Sequence, residues 1–475
     1  MAITAMTAGS QHYGGLAKEL GVELISVKMA KHLDEKDPLK HLRAEFCIPS
    51  KKTVVPEGAD VAEPDTACIY LCGNSLGLQP SGVRTLVNEE LDVWATHGVT
   101  GHFRHPKKRP WVSIDENVIV QSAKIVGASP KEVAIMNSLT ANLHFLMVSF
   151  YRPTKDRYKI LMEAKAFPSD YYAMESQTRF HGYEPDDAII QMSPRSGEHT
   201  LRTEDILDTI EREGDKIALV IFSGVQYYTG QFFELEKIAK AGKAKNCVVG
   251  FDLAHAAGNV PLRLHDWGVD FACWCTYKYL NAGPGGIGGA FVHERHARAD
   301  LPRMSGWWGT DPATRFLMDN VFRPIPGADS YRVSNPNVLA IMSLLGSLNV
   351  FSQTSMTDLR AKSLQLTGYL EALLLAIPNR GFKILTPSDP SQRGCQLSLL
   401  FEEGLMMKVF EALEREGVIV DERKPDVIRV APTPLYNTFS DVWQFVNILK
   451  TAVVAARIDS AGNVSEEARK GFVTS

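Results

Sequence analysis

The chain has 475 residues, of which 45% are hydrophobic and 22% are charged, and its formal net charge is -4. These are ordinary values for a globular protein, so they exclude a disordered or fibrous chain. The charge balance leaves no basic excess that would favour binding to nucleic acid. The longest apolar runs fall well short of the roughly 20 residues that a membrane span needs.

The length favours more than one folded unit. We expect an N-terminal segment over residues 1–100 that packs on a small domain and the active site, a large domain over 101–336, and a C-terminal small domain over 337–475. The start of the chain lacks the pattern of a signal or transit peptide. Its seven cysteines are an odd, scattered set. The sequence therefore predicts reduced thiols and a cytoplasmic location.

The middle of the chain alternates short apolar runs with amphipathic stretches, a pattern typical of parallel βαβ units. The predicted strands are Val133–Met136, Lys159–Glu163, Ile217–Phe222, Val248–Asp252, Phe271–Thr276 and Gly288–Val292. The predicted helices between them are Ala141–Tyr151, Asp170–Thr178, Thr203–Arg212 and Glu234–Lys245. The fold class of this part is therefore α/β, with a large and mostly parallel sheet.

The pattern changes after Asn335-Pro336. Two long helical segments, 337–352 and 356–377, precede predicted strands near Gln396–Phe401 and Val427–Val430. Helices followed by strands indicate a separate, smaller α+β domain.

The densest chemical signal lies between residues 248 and 292. Asp252 ends one predicted strand, and Lys278 follows another, directly before the glycine-rich run 283–289. Ligands of open parallel sheets bind at the carboxyl ends of strands. Pyridoxal 5′-phosphate (PLP) needs such a pair, because an amine must hold its aldehyde and a carboxylate must keep its pyridine nitrogen protonated. On spacing alone, however, a strand-end aspartate is more often a turn residue, and a lysine is usually solvated.

A resemblance covers most of the chain and makes this interpretation specific. The segments FDLAHAAG and GVDFACWCTYKYLNAGPGGIGG resemble the cofactor-lysine region of the class V aminotransferase group, within the fold type I PLP enzymes, and the kynureninases match best. The other matching segments are YLCGNSLGLQP, KRPW, NSLTANLHFLMVSFYRPT, ILMEAKAFPSDYYAMESQ, SGWWG, RVSNPN and IRVAPTPLYN.

The resemblance implies a PLP enzyme of the aspartate aminotransferase-like fold that works as a homodimer with shared active sites. The implied reaction is hydrolytic Cβ–Cγ cleavage of L-kynurenine or 3-hydroxy-L-kynurenine to an aminobenzoate and L-alanine, in tryptophan catabolism and NAD biosynthesis. The implied catalytic residues are Lys278, Tyr277 and Asp252. The implied cofactor contacts are these three together with Leu139, Thr140, Phe167, Pro168, Ser169, Asp170, Ser223, His255, Trp307 and Asn335, and the implied substrate contacts are Ser75, His102, Asn335 and Arg429.

Several of these residues also have a physical interpretation of their own. Leu139 and Thr140 open a helix directly after a strand, where free amides bind anions such as a phosphate. Arg429 carries a planar, bidentate group suited to a carboxylate. Without the resemblance, an ordinary helix cap explains the first pair, and a solvated basic loop explains His102.

Three alternatives compete with this assignment. Cysteine desulfurases and selenocysteine lyases share the Asp-to-Lys region, but they typically carry histidine where this chain has Tyr277. Gly73–Gly77 matches G-x-S-x-G, the nucleophile elbow of serine hydrolases, yet an elbow needs a helix directly after Ser75, and Pro80 follows instead. A non-catalytic binding module would not need the Asp252/Lys278 pair. His293–His296 is one residue short of the H-E-x-x-H zinc motif, so we predict no metal site there.

Overall fold

The structure is a computed structural model that describes residues 8–471, with the side chains of residues 8, 10 and 459–471 left out. The chain forms two compact units. One takes the residues up to Ser75, Tyr228–Gly230 and the residues from Asp358 onward, and the other takes Leu76–Tyr227 and Gln231–Thr357. The division into three segments, given above, stays a prediction.

The strands are named in chain order. They are β1 (Phe46–Cys47), β2 (Ile69–Tyr70), β3 (Gln79–Pro80), β4 (Val133–Ile135), β5 (Lys159–Glu163), β6 (Ile189–Met192), β7 (Ile217–Ser223), β8 (Val248–Asp252), β9 (Phe271–Cys275), β10 (Gly288–Val292), β11 (Phe382–Ile384), β12 (Leu397–Phe401), β13 (Val418–Ile419), β14 (Asp421–Arg423) and β15 (Val427–Val430).

The α-helices are named in the same way. They are α1 (Ala8–Glu19), α2 (Val27–Lys36), α3 (Lys51–Val54), α4 (Gly82–His97), α5 (Glu116–Val126), α6 (Leu139–Phe150), α7 (Pro168–Phe180), α8 (Pro185–Ala188), α9 (Thr203–Glu213), α10 (Leu235–Ala244), α11 (Val338–Phe351), α12 (Met356–Leu375), α13 (Met406–Arg415) and α14 (Phe439–Gly471).

The unit that contains Lys278 is built on a seven-stranded sheet in the order β4-β10-β9-β8-β7-β5-β6. Strands β9, β8, β7, β5 and β6 run parallel to one another. Most of these strands are buried along their length, as expected where helices cover both faces of a parallel sheet. Helix α6 contributes to the core, where the Phe150 ring stacks on Phe271 with centroids 5.1 Å apart.

The register of the sheet determines which side chains meet at its carboxyl edge. Ser223, the last residue of β7, lies opposite Asp252, the last residue of β8. Strand β5 lies on the other side of β7, and it ends at Glu163. Three adjacent parallel strands therefore end in polar residues at the same edge.

The second unit contains a four-stranded antiparallel sheet in the order β11-β12-β15-β14. Helices α12, α13 and α14 pack against it through a buried apolar cluster that includes Leu370, Leu399, Val409, Ile428 and Phe445. Strands β2 and β13 form a short parallel pair in this unit.

The predicted α/β class with a mostly parallel sheet is confirmed. All six strands predicted in the middle of the chain are present, and each ends within one residue of its prediction. Helix α7 begins earlier than predicted, at Pro168, because proline is favoured in the first turn. Strand β6 was missed. Strand β10 runs antiparallel to β4 and β9, since the loop after β9 holds no crossover helix.

Among residues 8–471, no single helix is both long and apolar enough to cross a membrane, although the pair α11 and α12, bent by 78°, meets that test when taken together. All seven cysteines lie in the described part of the chain and are free thiols.

Candidate active site

A cavity of about 250 Å³ opens at the carboxyl edge of the large sheet. Ten of the residues implied by the resemblance line it, and every one of them belongs to the same compact unit. They are Leu139, Thr140, Phe167, Ser169, Asp170, Ser223, Asp252, His255, Tyr277 and Lys278. The cavity therefore collects side chains that are spread over about 140 positions of sequence.

Lys278 lies just after β9 and directs its amine into this cavity. Its Nζ is 2.9 Å from Nε2 of His255, which follows β8 and is buried. The same Nζ lies 5.8 Å from the ring centroids of Phe167 and Tyr277. The amine thus contacts the His255 imidazole and lies within cation–π distance of two aromatic rings.

Two buried carboxyl groups, those of Asp170 and Asp252, also line the cavity. Asp252 ends β8, and its Oδ1 accepts a hydrogen bond of 2.7 Å from the backbone N–H of Ala254. Burial raises the pKa of Asp252. Burial and the adjacent Asp252 carboxylate raise the pKa of Asp170 well above its usual range. A negative charge on one carboxyl of this pair therefore disfavours a negative charge on the other.

The first two residues of α6, Leu139 and Thr140, also line the cavity. The helix begins at Leu139, and the side chain of Ser138 caps none of its described backbone amides. The Thr140 hydroxyl lies 2.8 Å from that of Ser169, in the first turn of α7. Uncapped amides and a pair of hydroxyls are suitable donors for an anion, and the helix dipole favours negative charge at this position.

Sequence reasoning missed four residues at the site. Val225, Tyr227 and Ala254 line the cavity, and the Phe167 and Tyr227 rings meet edge to face at 5.3 Å. Glu163 is buried, and it accepts a hydrogen bond of 2.5 Å from the hydroxyl of Ser223, which lines the cavity. A charged residue at the end of an otherwise apolar predicted strand was the signal that could have identified Glu163.

Three predicted cofactor residues lie in the same unit but do not line this cavity. Pro168 is the first residue of α7. Trp307 is 47% exposed, and its Nε1 donates to the carbonyl of Arg315 at 2.9 Å. Asn335 lines a separate cavity of about 250 Å³, and its buried Oδ1 has no partner among the described residues.

The remaining substrate residues are distributed over both units. His102 ends a short 3₁₀ helix, with its ring 5.4 Å from that of Trp111. Ser75 and Arg429 belong to the other unit. Arg429 is buried on β15, and its Nε donates to Oδ1 of Asp421, on the neighbouring β14, at 2.8 Å.

Comparison with known proteins identifies the family. Residues 359–449 match the family model described as the kynureninase C-terminal domain. A kynureninase from Monosiga brevicollis is 56% identical over 457 residues, which cover 93% of this chain and 99% of that protein. The human kynureninase is 51% identical over 449 residues, which cover 93% of this chain and 96% of that protein. The chain belongs to the kynureninase family. The family predicted from sequence is thereby confirmed.

Two solved structures of cysteine desulfurases have a similar fold. A cysteine desulfurase from Thermococcus onnurineus NA1 has a TM-score of 0.68 and 16% identity, and it covers 82% of this chain and 95% of its own. A cysteine desulfurase from Escherichia coli has the same TM-score and identity, with 88% and 97% coverage. At this identity the likeness shows the shared fold alone.

The residues at the cavity fit the cofactor of this family, PLP. The uncapped start of α6 suits a phosphate, and the amine of Lys278 suits an aldehyde. Asp170 Oδ1 is buried and has no hydrogen-bond partner among the described residues. An acid pair that contains such an unsatisfied oxygen suits a cationic ring nitrogen.

The structure does not place Ser75 in a nucleophile elbow, so it does not support a serine hydrolase. The next α-helix after Ser75 in the described chain, α4, begins only at Gly82. The glycines of the G-x-S-x-G match are required by packing instead. A Cβ on Gly73 would collide with Thr433 and Tyr436, and a Cβ on Gly77 would collide with Asn281 and the carbonyl of Lys278.

The HERH segment likewise does not bring its histidines together. His293 Nδ1 lies 3.6 Å from Oε1 of Glu132 and its ring stacks on His265 at 5.0 Å, whereas His296 hydrogen-bonds Asp270. The Glu132 carboxylate accepts hydrogen bonds from the backbone N–H groups of Ser129 and Glu294 and contacts Nδ1 of His265 at 2.9 Å. Hydrogen bonding thus accounts for the position of this buried acid.

Proposed function

We propose that this chain is a PLP-dependent hydrolase that cleaves the Cβ–Cγ bond of L-kynurenine or 3-hydroxy-L-kynurenine. The products are L-alanine and anthranilate or 3-hydroxyanthranilate, and the reaction consumes one water molecule. The observation that carries the proposal is the identity of 51–56% to kynureninases over more than nine-tenths of the chain. The cavity with its lysine and buried acid pair supports it independently. The reaction belongs to tryptophan catabolism and NAD biosynthesis.

The cofactor supplies, when bound, an electron-withdrawing ring that stabilises negative charge on the carbon atoms of the attached amino acid. Lys278 holds the cofactor and exchanges protons with the substrate through Nζ, with His255 oriented against that amine. Asp252 holds a proton at the ring nitrogen. Tyr277 stays protonated, because burial raises the pKa of its hydroxyl, and can therefore donate a hydrogen bond or a proton.

The residues assigned to the substrate are proposals as well. Arg429 binds the substrate carboxylate with its planar fork, and Asp421 orients that fork. Ser75, His102 and Asn335 border the aromatic end of the substrate. Leu139, Thr140, Pro168 and Ser169 hold the phosphate end of the cofactor, while Phe167 covers its ring. Trp307 and Asn335 serve the site of a partner subunit.

We also propose that the enzyme is a cytoplasmic homodimer. Large apolar side chains are exposed on the unit that contains Lys278, including Trp94 at 66% and Met318 at 76% exposure. The Phe316 ring is 5.7 Å from Phe103 and 5.3 Å from Trp307. An exposed apolar cluster of this kind, which includes Trp307, favours burial against a second copy of the chain.

The decisive experiment supplies the purified protein and PLP with four potential substrates: L-kynurenine, 3-hydroxy-L-kynurenine, L-cysteine and a chromogenic ester. We expect alanine and an aminobenzoate in equal amounts from at least one kynurenine, and no turnover by Lys278→Ala. The Ser75→Ala variant should still form its lysine-bound cofactor. Alanine from cysteine alone would support a desulfurase. Ester hydrolysis that depends on Ser75 and survives Lys278→Ala would support the serine hydrolase.

A further inference from the structure

Glu163 is a buried acid that the proposed chemistry does not use. It ends β5 with 2% of its surface exposed, and it is not among the residues that line the cavity. A buried carboxyl group requires partners, because an unpaired one costs several kcal/mol. Ser223, the last residue of the neighbouring strand β7, donates hydrogen bonds to both oxygens of Glu163.

Ser223 directs both of its donors at Glu163. Its backbone N–H lies 3.2 and 3.3 Å from the two carboxylate oxygens, and its hydroxyl lies 2.5 Å from Oε1. A serine hydroxyl has a single proton and two lone pairs. Because that proton is donated to Glu163, only lone pairs of Ser223 Oγ remain to face the cavity that this residue lines.

We propose that Glu163 is a positioning residue that makes Ser223 an acceptor toward the cofactor, so that the site selects a ring whose nitrogen carries a proton. The inference rests on the proposed function, because it takes PLP as the ligand of the cavity. Asp252 lies opposite Ser223 in the sheet and offers the same edge another acceptor. Ser223 and Asp252 thus both favour a ligand atom that donates a hydrogen bond at this edge of the sheet.

Glutamine at position 163 tests this mechanism with little change of shape. When its amide nitrogen takes the place of the present Oε1, that nitrogen donates to Ser223 Oγ, and the glutamine oxygen accepts the Ser223 N–H from the place of Oε2. The serine proton is then released toward the cavity. Glu163→Gln therefore reverses the polarity that Ser223 presents, whereas Ser223→Ala removes the hydroxyl altogether.

The experiment compares two ligands of the cofactor-free protein: PLP and its carbocyclic analogue, in which a C–H group replaces the ring nitrogen. Both carry the same phosphate and aldehyde, so the ratio of their affinities reports recognition of the ring nitrogen alone. We expect Glu163→Gln to reduce the preference for PLP by about tenfold. In the Ser223→Ala background, the same substitution should change the ratio by less than about twofold.

The pH dependence gives an independent measure of the same effect. Burial raises the pKa of Glu163 to about 6, and Asp252 is the neighbouring charge that acts in the same direction. Asp170 on α7 and Lys278 after β9 face the same group of acids. Below this pH Glu163 is protonated and can donate to Ser223, so the preference of the unsubstituted protein should fall as pH drops through about 6. The Glu163→Gln variant should show no such change.

Failure of this inference is distinct from failure of the proposed function. A protein that binds PLP and cleaves kynurenine, yet shows the same affinity ratio in Glu163→Gln and in Ser223→Ala as in the unsubstituted protein, would overturn the role of Glu163. An equal effect of Glu163→Gln with and without the Ser223 hydroxyl would also overturn it, because Glu163 would then act by charge alone. If Glu163→Gln does not fold, Ser223→Ala alone must lower the preference for PLP, and an unchanged ratio rejects the proposal.

Discussion

Lys278 acquires its chemical character from side chains that are remote in sequence. His255 contacts its amine at 2.9 Å, and Phe167 and Tyr277 flank it. Asp252 could be paired with Lys278 from sequence because each lies next to the end of a predicted parallel strand, and such ends share one edge of a sheet. The partner of Glu163 could not be assigned from sequence, since its hydrogen bonds to Ser223 depend on the register of two strands about 60 positions apart.

The role of Asp252 can be tested by Asp252→Asn. The asparagine retains the oxygen that accepts the Ala254 N–H, so the turn after β8 should be preserved. It removes the charge that keeps the ring nitrogen protonated. We expect the variant to bind PLP, while kcat on kynurenine falls about 100- to 1,000-fold.

Visible absorbance and stopped assays of aminobenzoate release measure the two effects separately. Asp266→Asn is the matched control, because Asp266 is exposed in the same segment of the chain. A rate for Asp252→Asn close to that of the control would contradict the assigned role.

At the scale of elements, the loop before α4 supports the turn that carries Lys278. The Gly77 N–H donates to the carbonyl of Tyr277 at 2.8 Å. A Cβ at position 77 would collide with Asn281 and with the carbonyl of Lys278. The resemblance included this loop, but it assigned a role only to Ser75. The importance of Gly77 depends on a close backbone approach that no sequence pattern encodes.

We expect Gly77→Ala to lower the free energy of unfolding by about 1–3 kcal/mol, because the added methyl group overpacks a closed contact. The displaced turn should also reduce the fraction of protein that retains PLP. Thermal unfolding and the ratio of cofactor to protein absorbance are the measurements.

Gly82→Ala provides the comparison, since no described atom lies within 4 Å of a Cβ at that position and alanine favours the helix that begins there. Equal stability of the two variants would show that the contact between Gly77 and the lysine turn is unimportant.

At the scale of the whole molecule, the proposed dimer depends on the exposed apolar cluster around Phe316. We expect Phe316→Glu to weaken self-association at least tenfold, about 1.4 kcal/mol, because it places a charge in a surface that the partner would bury. Sedimentation velocity over a range of protein concentrations measures the change.

Phe180→Glu is the matched control. Phe180 ends α7 with 77% of its surface exposed and lies outside the Phe316 cluster. If Phe316→Glu and Phe180→Glu associate equally well, the dimer does not use this surface.

The sequence by itself determined the α/β class, the positions of the central strands and the family, because hydrophobic periodicity and the motifs around Lys278 are local properties of the chain. Only the tertiary structure decided which predicted residues share one cavity. It brought ten of them together there and left three predicted cofactor residues, Pro168, Trp307 and Asn335, outside the lining of that cavity. It also placed Glu163 behind Ser223 and Gly77 against the lysine turn. These relations depend on strand order, register and close packing, which are set by contacts between distant parts of the chain.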